Sequence, residues 1–147
     1  MSEEKVLTKK ELESALFSAA DALRSKMDAN EYKNYLLGII ATNKIKDLEL
    51  TTLKSLCVLY RTYAYKEMKK NNYIDSSNPY QIYKPISYYK MFWLENYQDN
   101  FNTIEKAIDD TDGEFVTYND EYIYPFIHIC NNGYTSKNKN YEYLDKK

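Results

Sequence analysis

The stretch SAADALRSKMDANEYKNYLLGII, Ser18 to Ile40, sets the reading of the whole chain. Inside it, Asp28-Ala29-Asn30-Glu31 is a capping box: the Asp28 carboxylate can accept from the Glu31 amide, and the Glu31 carboxylate can reach back to the amide of Asp28. Met27 and Tyr32 stand where a hydrophobic staple would close. Tyr32, Tyr35, Leu36, Ile39 and Ile40 then recur at three- and four-residue spacing, the signature of one inward helix face. Upstream, Thr8-Lys9-Lys10-Glu11 repeats the device with Leu7 and Leu12 as staple, and Leu12, Ala15, Leu16, Ala19, Leu23 and Met27 make a second stripe. Two helices that meet at Met27-Asp28 with almost no loop predict a tight helical corner.

Downstream, the pattern predicts a third helix over Thr51–Lys70, with Leu53, Leu56, Cys57, Tyr60, Ala64 and Met68 on one face. Lys69 and Lys70 suit the negative end of its dipole, and Asn71-Asn72 is the expected stop. Two prolines and a Ser-Ser-Asn cluster make residues 73–86 a connector without regular helix. Helical spacing resumes from Ser87 through Tyr88, Met91, Phe92, Leu94 and Glu95, with a restart near Asn102-Thr103 that runs to Ile108. After the turn at Asp109–Gly113 the period becomes two. EFVTY, Asn119-Asp120 and EYIYPFIHI read as a β-hairpin, with Pro125 marking the second strand as an edge or a bulge. The expected fold is mainly α: an N-terminal helical corner, further helices and a small C-terminal β-hairpin. Residues 1–47 form one helical segment and 48–147 a Tyr-rich body, either as two lobes or as one compact domain.

A chain of 147 residues has room for one real core. Its net charge of −2, from 20 basic and 22 acidic side chains, gives no overall field that favours nucleic acid and too little negative charge to imitate it. The 17 tyrosines, against 5 Phe and one Trp, supply rings with polar tips, which fit core edges and wet interfaces. Cys57 and Cys130 have neither CxxC spacing nor a His cluster, so reduced buried thiols are expected rather than a zinc or redox site. No signal-peptide pattern and no apolar run of membrane length is present, so a cytoplasmic protein without membrane contact is expected.

The segment Glu11 to Ile40 resembles the N-terminal helical region of the modification (methyltransferase) subunit of type I restriction-modification systems. Leu16, Phe17, Ala20, Asp21, Leu23 and Arg24 stand at that family's first motif, Met27, Asp28, Ala29, Glu31, Tyr32 and Lys33 at its second, and Leu37, Gly38 and Ile39 at the helix that follows. The resemblance covers only residues 11–40. What it implies is a helical module that contacts a bacterial defence complex. A free copy could act as a decoy in anti-restriction, as a host accessory subunit, or as scaffold for a phage or mobile-element inhibitor such as an anti-CRISPR protein. Exposed residues of the segment would then carry partner binding: Arg24, Lys26, Glu31, Lys33 and Asn34.

Catalysis is not expected. Methyl transfer needs a Gly-rich cofactor turn, and Gly38, Gly113 and Gly133 form no G-x-G pair. Ser77-Asn78-Pro79-Tyr80 lacks the second proline of a base-binding loop and reads better as a turn. His128 stands alone in an apolar strand, and Asp110-Thr111-Asp112-Gly113 fails the spacing of a calcium loop. No cofactor and no metal is expected. A small nucleic-acid-binding protein is the alternative. It would require Lys66, Lys69, Lys70, Lys84 and Lys90 to gather on one face with Tyr73 and Tyr88.

Overall fold

The computed structural model describes residues 29–42, 48–71, 74, 83–126 and 140–144. The expected first helix, the connector at 75–82, His128 and Cys130 lie outside them. The described chain is mostly helical, with a two-stranded antiparallel hairpin towards its C-terminal end. Helix α1 spans Ala29–Ala41 and α2 spans Leu50–Asn71. After a 3₁₀ turn at Ile86–Tyr89 come the single turn α3, Lys90–Trp93, a second 3₁₀ turn at Leu94–Asn96, and α4, Tyr97–Asp110. Strands β1, Thr117–Tyr118, and β2, Glu121–Tyr122, close the hairpin.

Three helices make the core. Leu36, Ile39 and Ile40 of α1 meet Leu53, Cys57 and Tyr60 of α2 and Ile104, Ala107 and Ile108 of α4, all buried in one cluster. Tyr32, Tyr35 and Leu56 pack partly buried against it. For α1 and α2 these are the inward faces that the three-four spacing marks out, and burial across all three helices is the main force that holds them together. Salt bridges tie the rims: Lys33 reaches Glu105 at 3.0 Å and Asp109 at 3.0 Å, and Lys54 reaches Asp110 at 2.9 Å. Partial burial pulls the Lys33 pKa down, but the hydrogen bonds to Asp109 and Glu105 outweigh it and leave the pKa raised.

Helix α4 starts at Tyr97, not near Asn102 as the spacing suggests. Its first residue has no side-chain cap. Instead Tyr97 lies between a tilted Trp93 ring, at 6.0 Å, and a stacked Phe101 ring, at 6.1 Å, so aromatic packing sets the boundary in place of capping chemistry. The hairpin is also shorter than its alternating sequence. The described segment leaves strand geometry after Tyr122, three residues ahead of Pro125, which has no N–H to give to a ladder.

The turn residues Asn119 and Asp120 both take positive φ, 51° and 63°, as a two-residue hairpin of the right twist demands. Asparagine tolerates this conformation and aspartate less well; glycine removes the clash altogether. Asp120→Gly is therefore expected to stabilise the chain by about 0.5–1 kcal/mol, read as a rise in thermal midpoint. A fall in midpoint would show that the Asp120 side chain, not the turn geometry, holds the hairpin.

Candidate binding surface and family membership

One buried cation organises the polar interior. Arg61, from the middle of α2, is 1% exposed. Its guanidinium donates to the carbonyl oxygens of Ile108 at 3.1 Å, Thr111 at 2.5 Å and Glu114 at 3.3 Å, and to the Thr111 hydroxyl. The last turn of a helix leaves carbonyls without amide partners, and here an arginine from another helix supplies the donors. Next in sequence, Thr62 accepts the Val116 amide at 2.9 Å while it donates to Val58 O at 2.7 Å. Two adjacent residues thus fix both the end of α4 and the start of the hairpin.

The Tyr32 hydroxyl lies beside this guanidinium, buried, and neither it nor Nε of Arg61 makes a hydrogen bond of good geometry. Burial pushes the Tyr32 phenol up to about 12 against the opposing pull of Arg61. Burial does the same to the Cys57 thiol, also to about 12. Both groups are neutral in the folded chain, and unfolding would return them to their ordinary values near 10 and 9. The stabilising effect of raised values is complete below about pH 9 and is lost as the pH climbs towards about 12. Denaturant midpoints are expected to hold steady from about pH 7 to about pH 9 and to fall above that. A thiol reagent at mild pH should leave Cys57 unmodified until denaturant is added; prompt labelling of Cys57 would contradict this burial.

The exposed surface is a different matter. The connector side of the molecule carries a run of rings: Tyr88 against Phe92 at 4.9 Å, Tyr89 against Trp93 at 4.9 Å, then Tyr97 and Phe101. Its outer members face solvent, with Met91 73%, Phe92 60% and Leu94 71% exposed and Tyr88 beside them. Leu94 sits at φ 46°, a conformation that costs a bulky residue about 1–3 kcal/mol. Strain and exposure therefore fall on the same leucine. Lys84 lies over the Tyr88 ring at 5.6 Å and Lys90 over Tyr97 at 5.4 Å, so both cations are drawn onto aromatic faces.

The residues singled out from the sequence fall in three places. Arg24, Lys26 and Tyr73 lie outside the described residues. Glu31 and Asn34 are exposed on α1, while Lys33 is held between Glu105 and Asp109. Lys69 and Lys70 are exposed at the end of α2. Lys66 lies over the Tyr124 ring at 5.0 Å, in an aromatic group with Tyr63 and Tyr141, whereas Tyr88 belongs to the group around Tyr89 and Phe92. No ring or cation contact between described residues joins the two groups. Arg61 is not among the residues that spacing singles out, although a basic residue four positions after Cys57 and three before Ala64, on an otherwise apolar face, is itself a signal. Met91, Phe92 and Leu94 stand in a helical pattern within the Tyr-rich stretch Tyr73–Tyr97, which from sequence reads equally as a partner-binding surface or as half-buried packing; the structure shows the three exposed.

The family model of the stage II sporulation protein SpoIID matches residues 23–118, about two thirds of the chain. The chain belongs to the SpoIID family. Stage II sporulation protein D of Bacillus amyloliquefaciens is 26% identical over 117 residues, covering 74% of this chain and 34% of that protein. The Bacillus subtilis (strain 168) protein of the same name is 25% identical over the same coverage. The chain thus spans about a third of the length of these curated relatives.

SpoIID membership overturns the resemblance to a restriction-modification methyltransferase subunit, and with it the anti-restriction, anti-CRISPR and phage readings. A defence complex is likewise not the indicated partner, and the accessory-subunit and nucleic-acid alternatives have no support. The physical reason lies in what the 30 quoted residues encode. Capping boxes, staples and a three-four apolar stripe are common devices of short buried helices, so they recur across unrelated chains. The SpoIID match overlaps that stretch and extends through α2, α4 and β1, which a local helix pattern cannot do.

Proposed function

We propose that this SpoIID-family domain serves in spore formation as a binding module without turnover of its own, and that it meets a protein partner through the apolar corner of Tyr88, Met91, Phe92 and Leu94. The role in sporulation rests on the family and on the names of the two Bacillus relatives. The exposure of four large apolar side chains, a strained Leu94 among them, carries the binding reading. Methionine and aromatic residues are enriched at the cores of protein interfaces, where an exposed apolar group is worth most. Lys84 and Lys90, which a phosphate backbone would need free, are held over rings instead. The interior groups with chemical potential have structural work: Arg61 caps α4, and Cys57 and Tyr32 are buried in their neutral forms.

The test replaces Phe92 and Leu94 together by Glu in a spore-forming host that carries this gene as its sole copy. Heat-resistant spore counts are expected to fall to those of the deletion strain, while the purified variant keeps its thermal midpoint within the range of surface substitutions. Full spore counts from the double variant would remove this corner as the contact face.

A further inference from the structure

From Ile86 to Asp110 the chain reads ISYYKMFWLENYQDNFNTIEKAIDD, with no glycine and no proline to stop a helix. Helical turns follow one another along it without a gap, and none of them opens on a side-chain cap. One residue breaks the run. Leu94, at φ 46° and ψ −122°, leaves the helical backbone region and turns the peptide to Glu95 out of the helical ladder. The disturbance stays local: the Leu94 amide still donates to Lys90 O, as in a continuous helix, and the Tyr97 amide donates to Leu94 O. Local chemistry does not ask for this bend, so packing must hold it. On one side Tyr89 is buried in the core with Ile86 and Trp93 against it, and on the other Ile104 and Ile108 are buried with Phe101 against them.

We propose that Leu94 is a hinge between two arrangements of Ile86–Asp110: the bent one just described, and a continuous helix in which Leu94 takes the place of Tyr89 in the core. A helix repeats its faces every three or four residues. Followed backwards from Ile108, the buried stripe of α4 steps through Ile104, Phe101 and Tyr97, and the next step of three lands on Leu94. On the same straight helix Tyr89 falls in line with Asn96 and Thr103, seven and fourteen positions on, and both of those are exposed. Straightening therefore exchanges one large side chain for another on the buried face. The bent form keeps the ring of Tyr89 inside and carries the strain of a positive φ; the straight form relaxes the backbone and buries a leucine that is now 71% exposed. Two packings so nearly matched are what a switch requires. Straightening also withdraws Leu94 from the apolar corner, so the hinge sets whether that corner is complete. This use rests on the binding reading above, whereas the hinge itself does not.

The experiment is NMR relaxation dispersion and amide hydrogen exchange on the full chain. Wild type is expected to show microsecond-to-millisecond exchange centred on residues 93–97. Leu94→Gly accepts the positive φ without a clash and weakens a straight helix, so it should shift the balance at least about tenfold towards the bend and quench that exchange. Tyr89→Ala removes the ring that holds the bend. In the straight helix the Glu95 amide gains Met91 O as its acceptor, so in this variant it should exchange with solvent at least about tenfold more slowly than in wild type. Flat dispersion at residues 93–97 of wild type would overturn the proposal, as would dispersion that survives undiminished in Leu94→Gly. A Tyr89→Ala chain that melts cooperatively with Glu95 exchange unchanged would do the same; if that variant does not fold, the Leu94→Gly comparison decides alone. Neither readout needs a partner, so the hinge and the binding corner stand or fall separately.

Discussion

Arg61→Ala is expected to lower the unfolding free energy by about 1.5–3 kcal/mol, the largest single-residue effect outside the apolar core. The reason is the state of the groups left behind rather than the value of the bonds removed. The carbonyls of Ile108, Thr111 and Glu114 would each lose a charged donor; Ile108 O would keep the Thr111 amide at 3.3 Å and Thr111 O the Glu114 amide at 3.1 Å, and a buried acceptor left short of partners carries a desolvation penalty. The end of α4 and the turn to the hairpin should loosen together, because Glu114 O is held by the same guanidinium. Arg61→Lys is expected to recover less than half of the loss, since one ammonium cannot spread donors across three carbonyls as a planar fork does. Urea unfolding of both variants checks this. An alanine variant within about 0.5 kcal/mol of wild type would mean that water satisfies those carbonyls equally well.

Gly38→Ala is expected to destabilise by about 1–3 kcal/mol, although alanine is the better helix former. A Cβ at this position in α1 would run into the backbone oxygen of Lys84 and the ring of Tyr83. The first of these is main chain and cannot rotate aside. Residues 83–85 would have to lift, and the stack of Tyr83 on Tyr35 at 6.0 Å would open with them. The check is calorimetry together with proteolysis: Gly38→Ala should melt earlier and be cut first near Lys84. A variant more stable than wild type would show that the connector gives way without loss.

Much of the helical frame is written plainly in the residues. The spacing of Leu53, Cys57, Tyr60, Ala64 and Met68 predicted a helix over Thr51–Lys70, and α2 runs Leu50–Asn71. The inward residues of α1 and the hairpin turn at Asn119-Asp120 were equally readable, because each depends on neighbours within a few positions. What escaped depends on distant partners. Tyr97 starts a helix because Trp93 and Phe101 flank its ring, and no cap residue announces it. Met91, Phe92 and Leu94 have the composition of a buried face, yet all three are exposed, and Leu94 sits at positive φ. The candidate site was therefore less legible than the core. Exposed and buried apolar residues look alike in sequence, and only the packing of α1 and α4 separates them. The misassigned family arose from the same limit, a local helix pattern taken as a distant relationship.

The run of rings from Tyr88 to Phe101 has an optical consequence. Trp93 is the chain's one tryptophan and has Tyr89 at 4.9 Å and Tyr97 at 6.0 Å. Light absorbed by these tyrosines passes to the indole by resonance transfer and leaves as tryptophan emission, with no label attached. The tyrosines of the hairpin pack among themselves around Tyr65, Phe115, Tyr122 and Tyr124. Excitation at tyrosine wavelengths therefore reports the packing of this run through Trp93 emission, so the opening of that corner can be timed without a label.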